Sequence, residues 1–210
     1  MSKTQDFEQQ DKEYIANTYG RFNVCFEKGK GSLLWDVEGK EYIDLGSGIG
    51  VTAFGVDDDE WSKAVIAQTH ALNHISNLYY SVPQIKLAEL LCKRTGMKKV
   101  FFCNSGAESN ECAIKAARKY SHDKYGDGRN VIVTLVNSFH GRTVTTLSAT
   151  GQDVFHQHFF PFTEGFVHTP ANDIDAALKV LANPAVCAIM MEPIQGEGGV
   201  MPLDKEFVQA

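Results

Sequence analysis

The segment Ser105-Gly106-Ala107-Glu108-Ser109 follows the apolar run Val100-Phe101-Phe102-Cys103 after the single residue Asn104. A strand that ends in Ser-Gly and opens a helix builds an anion site, because unpaired backbone N–H groups and the positive end of the helix dipole converge there. Taken alone, the same residues also read as an ordinary helix start, with a serine cap and an acid in the first turn. Two later motifs add other chemistry. Ser138-Phe139-His140-Gly141-Arg142-Thr143 offers a flat ring in Phe139 and, in Arg142, a planar fork suited to a carboxylate. Glu192-Pro193-Ile194-Gln195-Gly196-Glu197-Gly198-Gly199 offers acidic contacts at Glu192 and Glu197. Singly, each has a plainer reading: Phe139 as core, Arg142 as a surface ion pair, the glycine run as a tight loop. Jointly they suit a phosphorylated aromatic cofactor and a carboxylate substrate. His156 and His158 read as loop or interface residues, and a His-x-His pair without a third ligand is no zinc site, so no metal is expected.

These motifs need elements to carry them. The pattern predicts a helix from Pro83 to about Arg94, a strand at Val100–Cys103, a helix from Glu108 to about Tyr120, and a strand at Val131–Val136. A helix over Asp173–Ala182 and an apolar strand over Ala185–Met191 follow. Such alternation means an α/β fold, a mainly parallel sheet with flanking helices. Each motif falls just past the carboxyl end of one of these strands, where open α/β sheets bind ligands, so one crevice could hold all three. Upstream, a short polar helix and an extended segment lead to about Gly31, and Ser32–Asp36 and Lys40–Asp44 flank Val37-Glu38-Gly39 as a hairpin would. Asp57-Asp58-Asp59 reads as the N-terminus of a helix running to about Asn73.

With 210 residues, 43% of them hydrophobic, the chain can bury a substantial core as one large domain or as one domain and part of another. A net charge of -6 without any basic run argues against nucleic acid or an anionic membrane and for a small-molecule partner. No stretch approaches the ~20 apolar residues of a membrane span. No apolar leader opens the sequence, and the expected location is cytoplasmic. Five cysteines, at 25, 92, 103, 112 and 187, form no Cys-x-x-Cys pair and read as buried thiols of a reducing compartment. The sequence breaks off after Phe207-Val208-Gln209-Ala210, inside what reads as a helix start, as a truncated chain would.

In their order, Ser-Gly-Ala-Glu-Ser-Asn-Glu, Ser-Phe-His-Gly-Arg-Thr and Glu-Pro-Ile-Gln-Gly-Glu-Gly-Gly resemble the class III pyridoxal-phosphate aminotransferases. Gly29-Lys-Gly31, Leu34-Trp-Asp36, Gly39-Lys-Glu-Tyr-Ile-Asp44 and His74-Ile-Ser-Asn-Leu-Tyr79 are similar to the acetylornithine branch of that family, and the match runs from about Tyr14 onward. The resemblance implies a fold-type I PLP-transferase. Residues 1–50 would be the N-terminal α+β segment of the small domain, and residues 51–210 the first part of the cofactor-binding large domain. It implies that Ser105, Gly106 and Ala107 hold the phosphate of pyridoxal 5'-phosphate, that Phe139 stacks on its ring, and that Glu192 lies beside it. Arg142 would grip the substrate α-carboxylate, Glu197 would pair with a later arginine and help switch between half-reactions, and Tyr19 would stand near the substrate entrance. A homodimer with active sites at the subunit boundary is implied as well.

The sequence departs from the family at Ala107, where a threonine is common, and at Gly55-Val56-Asp57-Asp58-Asp59, where Gly-His-x-His-Pro is usual. The resemblance implies that the family's Schiff-base lysine and the aspartate facing the pyridine nitrogen belong to segments after residue 210. No catalytic residue is therefore expected within this chain, for Lys179 and Lys205 lack the family's surroundings, and the 210-residue chain alone is expected to be inactive. Ile49 stands where ornithine δ-aminotransferases place a tyrosine, which disfavours free ornithine. The implied reaction of the full-length parent is transamination of N2-acetyl-L-ornithine with 2-oxoglutarate, giving glutamate, in arginine biosynthesis. Ornithine, succinylornithine and 4-aminobutyrate remain alternative donors. A reading of another class is a non-catalytic fragment that binds phosphate esters or pairs with a subunit.

Overall fold

A computed structural model describes residues 2–210, and the chain divides into two compact units, the first ending at Lys86 and the second spanning Leu87–Ala210. The first unit contains α1 (Lys3–Tyr14), the antiparallel meander β1 (Phe26–Lys30), β2 (Leu33–Asp36) and β3 (Glu41–Ile43), the single turn α2 (Ser47–Gly50), and α3 (Asp59–Leu72). The division falls inside α4 (Val82–Thr95). Asp36 makes the predicted hairpin: its Oδ1 accepts from the backbone N–H of Glu38 at 3.0 Å and of Lys40 at 2.8 Å, and its Oδ2 from the Tyr42 hydroxyl at 2.9 Å. Burial opposes ionisation of Asp36, yet these donors hold its carboxyl below the usual value. Of the three consecutive aspartates, only Asp58 caps α3, accepting from Trp61 N–H at 2.8 Å. Asp57 and Asp59 instead bind Lys30 Nζ at 3.0 and 2.8 Å. Ile49, a β-branched residue, sits in α2 at φ 60° with its side chain in solvent.

The second unit carries α5 (Gly106–Tyr125), β4 (Val131–Leu135), α6 (Val144–Ala149), β5 (Phe166–Thr169), α7 (Ile174–Leu181), β6 (Val186–Ile189), the two-stranded antiparallel β7 (Ile194–Gln195) and β8 (Met201–Pro202), and α8 (Lys205–Gln209). Strands β5, β4 and β6 form a parallel sheet in that order, as the alternation predicted. Central β4 is buried from Ile132 to Leu135 because both of its faces are covered. Leu135 packs with Ala177 of α7 and Phe207 of α8, while the preceding Thr134 bonds its hydroxyl to His168 Nδ1 at 2.7 Å on the other face.

Two expectations change. Val100–Cys103 forms no strand and belongs to no ladder among the described residues. Phe101 is correspondingly exposed. The cysteines are free but not buried: Cys103, on that unpaired segment, is exposed and the other four are half-buried. Among the elements that escaped the sequence reading are β5 and α6. Strand β5 carries only four residues, with a histidine and a threonine among them, and six-residue α6 is too short to show a helical period. Among the described residues no helix is long and apolar enough to cross a membrane.

Candidate active site

Helix α5 opens the site. Ser105 is its N-cap, with extended backbone, and its Oγ accepts from Glu108 N–H at 3.2 Å. The Glu108 carboxylate turns back to accept from Asn104 N–H at 2.6 Å. The first N–H groups of a helix have no intrahelical acceptor, and those of Gly106 and Ala107 find none elsewhere among the described residues. The space over Gly106 is open, for a Cβ built there would meet nothing within 4 Å. Twenty aligned peptide units of α5 place the positive end of its dipole behind these two donors.

The second motif braces this helix end. Gly141 has φ +127°, and a Cβ on it would lie 2.7 Å from Thr146 Oγ1 and 2.8 Å from the Ala107 methyl, so only glycine fits between loop and helix. Asn110 Nδ2 donates to the His140 carbonyl at 2.8 Å, and the Thr143 hydroxyl donates to Glu111 Oε1 at 2.5 Å. Thr143 also caps α6 by accepting from Thr146 N–H at 3.1 Å. His140 is buried, with its N–H on Thr150 Oγ1 at 2.9 Å and its Nε2 without a partner. Burial pushes its imidazole below the usual value; the Glu192 charge opposes this and His168 reinforces it.

Above this floor, the ring of half-buried Phe139 stands edge-on to Phe155 at 6.0 Å. Arg142 is exposed, with its guanidinium 4.9 Å above the Phe155 ring and 6.0 Å from that of Phe139. It joins no ion pair among the described residues, so the surface-pair reading is set aside. The third motif is tied to the second by Glu192, whose Oε1 accepts from Phe139 N–H at 2.8 Å and whose Oε2 accepts from Gly196 N–H at 3.3 Å. Gln152 joins the same loops, donating to the Ser138 carbonyl at 3.2 Å and to the Glu197 carboxylate. Buried Gln195 donates to the Val136 carbonyl at 2.9 Å and holds β7 against the end of β4.

Ser105, Gly106, Ala107, Phe139, Arg142, Glu192 and Glu197 thus belong to one continuous chain of contacts. Tyr19 lies in the first unit, where it is exposed. Lys179 is on α7 and Lys205 opens α8, so neither joins the cluster by sequence position or by hydrogen bond. Sequence reasoning missed His140, Gln152, Asn110 and Glu111. His140 stood inside a motif already under scrutiny, whereas the others are plain polar residues whose role exists only once distant segments meet.

The cluster lies beside the carboxyl ends of β4 and β6, which places it in the class of α/β proteins built on a parallel sheet. Residues 14–210 match the family model "Aminotransferase class-III", and the chain belongs to that family. It is 56% identical over 202 residues to the acetylornithine aminotransferase of Haemophilus ducreyi, covering 96% of this chain and 51% of that protein. The acetylornithine aminotransferase of Wolinella succinogenes is 48% identical over 201 residues, 95% of this chain and 50% of that protein. Among solved structures, the ornithine aminotransferase of Toxoplasma gondii ME49 superposes with a TM-score of 0.93 at 28% identity, over 100% of this chain and 50% of that one. The N-acetylornithine aminotransferase of Stenotrophomonas maltophilia K279a gives a TM-score of 0.77 at 36% identity, over 96% of this chain and 48% of that one. The chain therefore spans about half the length of the curated relatives it matches.

Proposed function

We propose that the protein carrying this chain is a pyridoxal-phosphate-dependent aminotransferase that acts on N2-acetyl-L-ornithine and 2-oxoglutarate in arginine biosynthesis. The observation that carries this reading is the pair of unpartnered amides at Gly106 and Ala107, open to solvent at the head of α5 and braced from below by Gly141. A dianionic phosphate fits that donor set, and an aromatic ring and a carboxylate fit the half-buried Phe139 ring and the exposed, unpaired Arg142 beyond it. The 56% identity to an acetylornithine aminotransferase supports the choice of donor.

Pyridoxal 5'-phosphate, when bound, supplies the electron sink through which an amino group passes between an amino acid and a 2-oxo acid. In this reading Gly106 and Ala107 bind the phosphate through backbone N–H, and the Ser105 hydroxyl stands beside them. Ala107 brings no hydroxyl, so the amides carry that contact. Phe139 offers its ring as a shelf, and Glu192 keeps the shelf in place by holding the Phe139 amide. Arg142 grips the α-carboxylate with two parallel hydrogen bonds, which a lysine could not match. Glu197 contributes a movable carboxylate, and Tyr19 flanks the substrate entrance. Residues 1–50 would belong to the small domain and 51–210 to the cofactor-binding domain of a cytoplasmic homodimer.

Steady-state rates of the complete protein with acetylornithine, succinylornithine, ornithine and 4-aminobutyrate test the donor, and preference for ornithine or 4-aminobutyrate overturns it. No lysine lies in the cluster just described, which favours binding without turnover for the 210-residue chain by itself. Mixing that chain with the coenzyme should produce no lysine-linked absorbance that borohydride abolishes.

A further inference from the structure

Gln152 is rooted more firmly than its position in a loop suggests. Its neighbour Gly151 bridges Val136 in parallel register, accepts from Asn137 N–H at 2.7 Å and donates to Ser138 Oγ at 3.0 Å. A Cβ at 151 would fall 2.1 Å from the Leu135 carbonyl oxygen, so the backbone lies hard against the end of β4. From that fixed point the Gln152 amide reaches the Ser138 carbonyl and the Glu197 carboxylate.

Glu197 is its opposite. It is exposed, flanked by Gly196 and by Gly198-Gly199, and forms no ion pair among the described residues. The Gln152 amide is the only hydrogen-bond partner of its side chain among them. A neutral amide gives a carboxylate a direction without an ion pair's strength, so it can orient Glu197 beside the later arginine that the resemblance implies without competing with it. We propose that Gln152 is a positioning residue, which sets the rest position of Glu197 and ties it to the loop carrying Phe139. The proposal rests on the reading of Glu197 as the movable carboxylate of the aminotransferase site.

The test is hydrogen exchange followed by mass spectrometry on the cofactor-free complete protein, comparing wild type with Gln152→Ala and Gln152→Lys. Loss of the amide should speed exchange of residues 196–200 by about three- to tenfold. The lysine, a cation at the same point, should restore protection. Exchange across β4 in the same runs shows whether each variant is folded. Unchanged exchange at 196–200 in Gln152→Ala overturns the proposal, whatever the substrates prove to be. Kinetics supply the second arm. Gln152→Ala should change the ratio of the KM values for amino donor and 2-oxo acid with kcat nearly kept, whereas Gln152→Lys should lower kcat by pinning Glu197. Faster exchange with an unaltered KM ratio would sink the link to turnover. A wild-type protein that does not turn over these substrates refutes the donor assignment instead, and the exchange result still decides the role of Gln152.

Discussion

Gly106 and Gly141 stand on either side of the same helix end and differ in almost every physical respect. The Gly106 amide has no acceptor and the space over its Cα is empty, while Gly141 is buried, carries φ +127° and leaves no room for a Cβ beside Thr146 and Ala107. One glycine leaves room for a ligand and the other leaves room for the protein. A glycine in a motif therefore says nothing of its role until its neighbours are known.

The largest effect expected is at the packed side. Gly141→Ala must relieve two contacts below 3.0 Å and adopt a left-handed backbone, and should cost about 3 kcal/mol, read from urea unfolding. A loss under about 1 kcal/mol would show that loop and helix can separate freely. Glu192→Ala should come next, at about 2 kcal/mol, because the amides of Phe139 and Gly196 both lose their acceptor. The same variant should loosen amide exchange at Phe139 before it affects α5.

Acid probes the floor of the site. Burial keeps His140 neutral in the folded chain, so its folded value lies below the unfolded one of about 6.5. Between those values the unfolded state binds more protons. Stability is thus complete above about pH 6.5 and declines as pH falls through it, by about 1.4 kcal/mol per pH unit within the window. His168, lowered by burial and by neighbouring His156 against the opposing charge of Asp153, acts in the same direction. Unfolding midpoints measured at about pH 7.5 and 5.5 should show the decline, and His140→Gln should flatten it. The smallest effect belongs to the open side. Gly106→Ala should change stability by no more than about 1 kcal/mol, toward greater stability, since the new methyl meets nothing and the unfolded chain loses freedom. Coenzyme affinity, measured by equilibrium dialysis, should fall in this variant while folding does not. Equal responses of the two glycines would erase the contrast between them.

Much of this was legible in advance where local chemistry decides. Two short segments flanking Val37-Glu38-Gly39 announced the hairpin, and the run Asp57-Asp58-Asp59 announced the start of α3, though only Asp58 caps it. The apolar run at 131–136 announced a strand, whereas Ala185–Met191, whose composition suits a fully buried strand, is mostly half-buried. The convergence of three motifs also followed from the strand-end rule, even though the segment before Ser105 proved not to be a strand. What stayed hidden depends on partners remote in sequence. Val100–Cys103 has the composition of a strand, but composition cannot supply the neighbour that makes one. Gln152 gains its meaning from Ser138 and from Glu197, which lies 45 residues further on. The lack of an ion pair at Arg142 and the partial exposure of the cysteines are likewise outcomes of packing, which no single segment encodes.

The Ala107 methyl fills the space a side chain at 141 would need, which binds two sequence positions into a shared inheritance. Neither can enlarge unless the loop retreats, so mutational drift at one site is conditional on the state of the other. Introducing threonine at 107, which would place a hydroxyl at the head of α5, would then be tolerated or rejected according to how its branch sits against residue 141. Libraries that vary the two positions together should recover combinations that single replacements discard.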